Sequence, residues 1–559
     1  MTGGEVIHEV LVRAGVDRVF GVVSVHNLPI YDAIERGGRI TAVAMRHEQA
    51  AVHAADGYAR ASGRLGVAVA STGPGAANCV PGLYEAGFAS SPVLMITGQA
   101  DTPNLGKARG FVHEADNQAA MLATVCRRVE TVRLRQQLAP ALMRVIDDIQ
   151  TGRPQPGSLE VPIDLQYADR EVTPAERAAV PVPEPVQPEQ AAVEAAAELL
   201  AAAVRPLIIA GGGVVRSGGA QRPAGASAQL RALAEQLGAP VLVSANGRGA
   251  LPDGHPLCLG NLVYHPEIRA LREEADVVLA VGTRLQVGSE ARNYAALGGK
   301  LIHLDADAGV IHRVSPAELA VVADAAGGLA AVTAALADRG GRTDPAVAAA
   351  RQAWAARAAA ARATVQARLG DLVGPDHFAI MEELRAATPR DTRLVRDSTV
   401  PAYLWANQML PILEPRTSLH PTAGAIGPGL PLAIGAAVAT GSRTVLIAGD
   451  GGFMLHVGEL AVAAQYRLPV TICLFNDRGY GVLRRIEDAR FAGRRFGVDL
   501  ATPDFPALAR SMGVEAHAVA GVEEFRTAFR SAADADGPVL LDIDLNALHP
   551  IGEYPPRPR

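Results

Sequence analysis

The chain has 559 residues, a formal net charge of −6, and 49% hydrophobic but only 4% aromatic residues. At ~150 residues per domain it suits three to four domains with large cores, and charge spread without a basic stripe excludes a nucleic-acid partner. No apolar stretch reaches the ~20 residues of a membrane span without a charge or glycine break.

The opening Met1-Thr2-Gly3-Gly4-Glu5 has neither the basic region nor the apolar run of a secretory leader. Cys79, Cys126, Cys258 and Cys473 form no CxxC pair and read as reduced, buried thiols. A cytoplasmic protein is expected.

Residues 1–170 alternate strand and helix, with strands predicted at Arg18–Val22, Thr41–Met45, Gly66–Ser71 and Val93–Gly98. Apolar strands alternating with helices imply a parallel sheet covered on both faces. Residues 171–189 are rich in Pro, Val and Glu and read as an extended linker. Residues 190–345 form a central domain with strands at Pro206–Ala210, Pro240–Ser244, Val277–Thr283 and Lys300–Asp305. Its Gly211-Gly212-Gly213 is not G-x-G-x-x-G and reads as a tight strand-to-helix turn. Residues 346–370 read as a connecting helix, Ala346 to Leu369, and residues 371–559 as the last domain. The predicted fold class is therefore α/β, with three doubly wound parallel sheets.

The last domain carries Gly449-Asp450-Gly451-Gly452-Phe453 and Phe475-Asn476-Asp477-Arg478-Gly479-Tyr480-Gly481. Met454 to Arg467 is predicted as a helix and Leu468 to Phe475 as a strand. Asp450 and Asp477 then fall at the ends of neighbouring strands, where open α/β sheets bind ligands. Two carboxylates and the Gly479 carbonyl suit Mg²⁺, which takes oxygen ligands and bridges to a diphosphate. The glycines let the backbone approach phosphates closely. The alternative is a β-turn in an unrelated sheet. In the first domain, Arg46-His47-Glu48-Gln49 precedes a small-residue helix, Val52 to Ala61. Taken alone, Glu48 reads as a helix-start glutamate at the positive end of a dipole.

Together these motifs resemble those of thiamine-diphosphate enzymes, whose metal motif begins with GDG and ends in an Asn-rich turn. From about Glu5 to Leu545 the chain is similar to the superfamily of acetolactate synthase, benzoylformate decarboxylase and pyruvate decarboxylase. The resemblance implies pyrimidine-binding, central nucleotide-like and diphosphate-binding domains, with thiamine diphosphate and Mg²⁺ as cofactors. It places Gly449, Asp450, Gly451 and Gly452 at the diphosphate, with Asp477 where the family usually has Asn. It makes Glu48 the carboxylate that holds the aminopyrimidine, a role suited to a buried acid of raised pKa. Ser71-Thr72-Gly73-Pro74-Gly75-Ala76-Ala77-Asn78 matches the glycine turn of the first domain. In Pro421–Gly427, the Gly424 carbonyl meets the pyrimidine amino group and Ile426 wedges between the cofactor's rings. Ser398 and Thr399 contact the diphosphate. Sites in the family are shared by two chains, so a homo-oligomer, dimer or tetramer, is implied.

The implied substrate is a 2-oxo acid, which loses carbon dioxide because the thiazolium is an electron sink. The product is an aldehyde or, after attack on a second carbonyl, a 2-hydroxy ketone. In the loop Gly21–Pro29, Val25 stands where relatives place an active-site residue, with His26 beside it. His113 and Glu114 match a second active-site pair. Histidines of near-neutral pKa relay protons or orient a carboxylate; a satisfied loop histidine is the alternative. Ile486 replaces the substrate-channel Trp of acetolactate synthases. FAD, which those enzymes hold in the central domain, stays an open alternative that is not predicted. Val69-Ala70-Ser71 lacks the histidine that benzoylformate decarboxylase carries before its glycine turn. The Val25-His26 loop with His113-Glu114 resembles decarboxylases of 5-guanidino-2-oxopentanoate, with Glu114 and Asp116 as acidic candidates. The expected activity is decarboxylation of a 2-oxo acid, with or without carbon–carbon ligation. Alternatives are an acetolactate-synthase-like carboligase and a silent cofactor-binding homologue. The ending Glu553–Arg559 reads as a flexible tail; in relatives such tails cover the site.

Overall fold

A computed structural model describes residues 1–169, 171, 179–180, 182–218, 225–286, 297–339 and 344–552. The tail Glu553–Arg559 and much of the 171–189 linker lie outside the described residues.

Among the described residues, eighteen strands form three six-stranded sheets, all of whose ladders are parallel. The first holds β1 (Arg18–Gly21), β2 (Thr41–Ala44), β3 (Gly66–Ala70), β4 (Val93–Gln99), β5 (Arg128–Thr131) and β6 (Gly157–Pro162). The second holds β7 (Pro206–Ala210), β8 (Val241–Val243), β9 (Cys258–Gly260), β10 (Val277–Val281), β11 (Lys300–Asp305) and β12 (Leu319–Val322). The third holds β13 (Arg393–Arg396), β14 (Ser418–Leu419), β15 (Thr444–Gly449), β16 (Val470–Asn476), β17 (Glu515–Val519) and β18 (Val539–Asp544). The central strands are continuous apolar runs, Gly66–Ala70 and Thr444–Gly449 being buried throughout. That is the pattern of strands with helices on both faces.

The first and third sheets share one strand order, β2-β1-β3-β4-β6-β5 and β14-β13-β15-β16-β18-β17. The connection reverses direction between β1 and β3, and between β13 and β15, so each sheet has a switch point where ligands bind. The central sheet runs β12-β11-β10-β7-β8-β9, with its switch point between β7 and β10.

The first and third sheets also share one apolar core, joined through the helices Glu48–Ser62 and Gly429–Thr440. Small residues make the approach close. A Cβ on Gly57 would lie 2.2 Å from the Leu432 carbonyl oxygen, and one on Gly435 1.9 Å from that of Ala54. The pairing therefore requires glycine at both positions.

Two predicted elements differ. The helix expected at Met454–Arg467 is a 3₁₀ segment, Met454–Glu459, followed by the short α-helix Leu460–Gln465. His456 leaves helical geometry to bring Nδ1 within 3.0 Å of the Gly427 carbonyl. The connecting helix runs further than expected, Pro345–Ala386, and is broken at Gly374 (φ +77°), next to Pro375.

Candidate active site

At the switch point of the third sheet, Asp397 follows β13. It is buried and accepts from the backbone N–H of Ser398, Gly427 and Gly429 at 2.6 to 3.1 Å. Burial pushes its carboxyl up, against the pull of those N–H groups. It thereby fixes the turn after Ile426, where Gly427 has φ +98°. Gly424 (φ +82°) faces open space and Ile426 is 38% exposed. Ser398 donates its hydroxyl to the Ala425 carbonyl (3.0 Å) and accepts from Tyr403 (3.0 Å), bracing the same loop. A Cβ on Gly449 would lie 2.9 Å from Thr399 Oγ1, so Thr399 packs on the start of the Gly449–Gly452 turn. Gly452 in turn abuts Gly427 and Ile426.

Gly449 ends β15 opposite Phe475 of β16, which sets Asp450 beside Asp477. Asp450 is buried; Oδ2 accepts from Gly479 N–H (2.8 Å) and Oδ1 from Asp477 N–H (3.4 Å). Burial, then the Asp477 charge, pushes the Asp450 carboxyl up to about 6. Burial also raises Asp477, opposed by Arg484 at 3.7 Å. Two carboxylates crowded at one turn fit a divalent cation. Among the described residues no group of three His, Cys, Asp or Glu surrounds it. A cation there would take the two carboxylates, a backbone carbonyl and oxygens from outside the chain, a set that suits Mg²⁺.

At the switch point of the first sheet, Glu48 heads its helix and is half-buried, less enclosed than expected. Its Oε2 accepts from Asn78 Nδ2 at 3.0 Å. Buried Ser71, after β3, has Oγ 3.3 Å from His26 Nδ1 and 3.3 Å from His113 Nδ1. The two rings are 5.1 Å apart. Burial, then the neighbouring His113, lowers His26, while a hydrogen bond to the Val112 backbone raises it. His113 has φ +62°, a conformation few non-glycine residues adopt. Its carbonyl accepts from Thr72 Oγ1 (3.3 Å). Glu114 Oε2 accepts from Phe111 N–H (3.0 Å), and its buried Oε1 has no partner.

Within one chain, among the described residues, no hydrogen bond or ion pair joins Glu48 to Asp450. The two clusters are tied indirectly. Arg46 N–H donates to Glu459 (3.2 Å), and buried Glu85 accepts from the N–H groups of Thr422 and Ala423, just before Gly424. Burial raises the Glu85 carboxyl while Arg60 lowers it. The motifs did not single out Asp397 as a turn anchor, nor Glu85, His456 or Glu459. A lone acid in the small-residue helix Pro74–Ala89 was the available signal for Glu85.

A cavity of about 1450 Å³ opens at the switch point of the central sheet. Gly213, Arg216, Gly282, Arg284 and Asp305 help line it.

Comparison with known proteins agrees with this layout. Residues 1–121 match the N-terminal TPP binding domain of thiamine pyrophosphate enzymes, 193–333 their central domain, and 401–543 their C-terminal TPP binding domain. A probable 2-ketoarginine decarboxylase of Pseudomonas aeruginosa is 34% identical over 97% of this chain and 94% of that protein. A probable acetolactate synthase large subunit of Methanocaldococcus jannaschii is 31% identical over 100% of this chain and 94% of its own. The acetolactate synthase isozyme 2 large subunit of Escherichia coli is 31% identical over 98% and 96%. The chain belongs to the thiamine pyrophosphate enzyme family. Within it, the chain falls among the decarboxylases and carboligases.

Proposed function

We propose that this protein is a thiamine-diphosphate- and Mg²⁺-dependent decarboxylase of a 2-oxo acid. The observation that carries the reading is one wall of the first sheet, where His26, Ser71 and His113 stand beside Glu48. A reaction that consumes a proton as carbon dioxide leaves needs such titratable groups at the reacting carbon.

Thiamine diphosphate, when bound, supplies the electron sink for decarboxylation. Asp450, Asp477 and the Gly479 carbonyl would hold Mg²⁺, and Gly449, Gly451, Gly452, Ser398 and Thr399 would receive the diphosphate. Gly424 and Ile426 would hold the pyrimidine end of the cofactor. Glu48 takes and returns a proton at the pyrimidine nitrogen. His26 and His113 hold the proton destined for the product, and Glu114 helps orient the acid.

A guanidino 2-oxo acid heads the substrates. The relative named as a 2-ketoarginine decarboxylase supports this, as does the unpartnered Glu114 Oε1, an acceptor for a cationic side chain. Two copies are proposed to complete each site. Val25, Val112, Ile426 and Leu455, all beside the clusters, are 38 to 65% exposed, an apolar surface for a second chain. Four buried cysteines, none in a disulfide, support the reducing cytoplasm.

The test is carbon dioxide release from pyruvate and from branched, aromatic and guanidino 2-oxo acids, with both cofactors added and products identified by mass. Aldehyde from the guanidino acid is expected. A longer hydroxy ketone would make the protein a carboligase, and no release from any acid would overturn the reading.

A further inference from the structure

Ser71 ends the first sheet's central strand at its switch point, buried, with its hydroxyl between two imidazoles. A hydroxyl has one proton to donate, so it cannot donate to both rings. The surroundings select the direction. The His26 ring is buried, whereas His113 is exposed. A neutral imidazole carries one N–H and one acceptor nitrogen. Burial favours the neutral ring, so His26 presents Nδ1 to Ser71 as an acceptor. The Ser71 hydroxyl then donates to His26 and its oxygen accepts the Nδ1 proton of His113. That leaves His113 Nε2 to exchange a proton with a reacting group, giving one when the ring is the doubly protonated imidazolium and taking one back when only Nδ1 is protonated.

The same hydroxyl stands near the proton chemistry of the first domain. A Cβ on Gly75 would lie 3.4 Å from Glu48 Oε1 and 3.9 Å from Ser71 Oγ, so Glu48 and the Ser–His pair flank one small volume. The backbone holds His113 to this register. Thr72 Oγ1 lies 3.3 Å from the His113 carbonyl and 3.0 Å from Gln118 Oε1, and a Cβ on Gly73 would lie 2.5 Å from that carbonyl oxygen. Gln118 anchors the turn in turn, accepting from Gly73 N–H at 2.8 Å.

We propose that Ser71 is a positioning residue that fixes the tautomers of His26 and His113, so that His113 Nε2 transfers the proton in the decarboxylation. The assignment rests on the reading of the protein as a 2-oxo acid decarboxylase. The titratable groups facing this pair are Glu48 on the helix Glu48–Ser62, Glu114 beside His113, and the two histidines themselves.

The experiment compares the intact wild-type enzyme with Ser71→Ala and Ser71→Thr, with both cofactors and the best acid from the panel. Ser71→Ala is expected to lower kcat about 10- to 100-fold with KM little changed, the signature of an interaction used only in the transition state. Its kcat–pH profile shifts along the limb set by the histidines, and Ser71→Thr, which keeps the hydroxyl, restores most of the rate. Thiamine diphosphate affinity, read by tryptophan quenching, stays within about threefold of wild type, since Ser71 lies outside the diphosphate cluster. A Ser71→Ala enzyme with the wild-type kcat and pH profile would overturn the assignment. So would a Ser71→Thr enzyme as slow as Ser71→Ala while binding the cofactor normally. A wild type that releases carbon dioxide from no acid would instead sink the functional reading beneath it.

Discussion

The ends of β3 and β15 occupy the same place in two sheets of identical strand order, yet carry opposite chemistry. After β15 comes Gly449-Asp450-Gly451-Gly452, with Asp397 from the neighbouring β13 and Asp477 from β16: acids and glycine backbone, suited to a cation and a diphosphate. After β3 comes Ser71-Thr72-Gly73-Pro74-Gly75, with His26 from the loop after β1 and His113 from the loop after β4: hydroxyl and imidazole, suited to moving protons. Topology places a site at each switch point. On the proposed reading, the residues at the strand ends decide whether it binds or reacts. Among the described residues no hydrogen bond or ion pair joins Glu48 to Asp450 within one chain, and the proposed second chain is what would bring the two kinds of site together.

Breaking each half separately should give different failures. Glu48→Gln is expected to cost about 10²- to 10⁴-fold in kcat, the usual range for a lost acid–base group, while cofactor binding persists. Retained wild-type turnover would remove Glu48 from the chemistry. Asp450→Asn is expected to act through binding instead, raising the Mg²⁺ and thiamine diphosphate needed for half activity by about 10- to 100-fold. Unchanged cofactor requirements would contradict the metal assignment. Mixing the two variants after dissociation sharpens the contrast. A mixed dimer holds one site with neither substitution, so activity should partly return; no recovery would place both halves in one chain.

The third-sheet half was legible because it is written as short contiguous motifs. Gly449-Asp450-Gly451 and Asn476-Asp477 mark a turn and candidate ligands by motif and spacing, and parallel register puts them side by side. The first-sheet half was only partly so. His26 and His113 were identified as separate candidates on different loops, and nothing local shows that both rings converge on Ser71. That convergence depends on the left-handed backbone at His113 and on the ends of three strands. The helix expected over Met454–Arg467 failed for a similar reason: a tertiary contact from His456 to Gly427 overrides local propensity.

Glu85 tests the coupling between the halves more gently. It is a first-sheet residue whose buried carboxylate holds two N–H groups of the loop leading to Gly424. Glu85→Gln keeps the shape but weakens both bonds and removes one of the two carboxylates beside Arg60, 3.9 Å away, leaving Asp56 at 3.4 Å. A loss of about 1 to 3 kcal/mol in stability is expected, seen as a lower melting temperature, with weaker cofactor binding. An unchanged melting temperature would mean that this contact does not couple the sheets.

The smallest effect concerns His53, on the helix that joins the two sheets. It is fully buried, its Nδ1 has no partner, and its ring meets His456 edge-on at 5.7 Å. Burial, then the neighbouring His456 and Arg60, lowers its pKa to about 3. In the unfolded chain the ring titrates near the ordinary ~6.5. Between those values the unfolded state binds the proton and the folded state refuses it. The His53 contribution is therefore complete above about pH 6.5 and is lost as the pH falls toward about 3, at roughly 1.4 kcal/mol per pH unit. His377 and His420, also lowered by burial, add slopes of the same sign. Urea unfolding of wild type and His53→Leu from pH 7 to pH 5 isolates the one residue. The variant should lose less stability over that range than wild type. Parallel losses would show that protonation of His53 does not strain the packing between the two sheets.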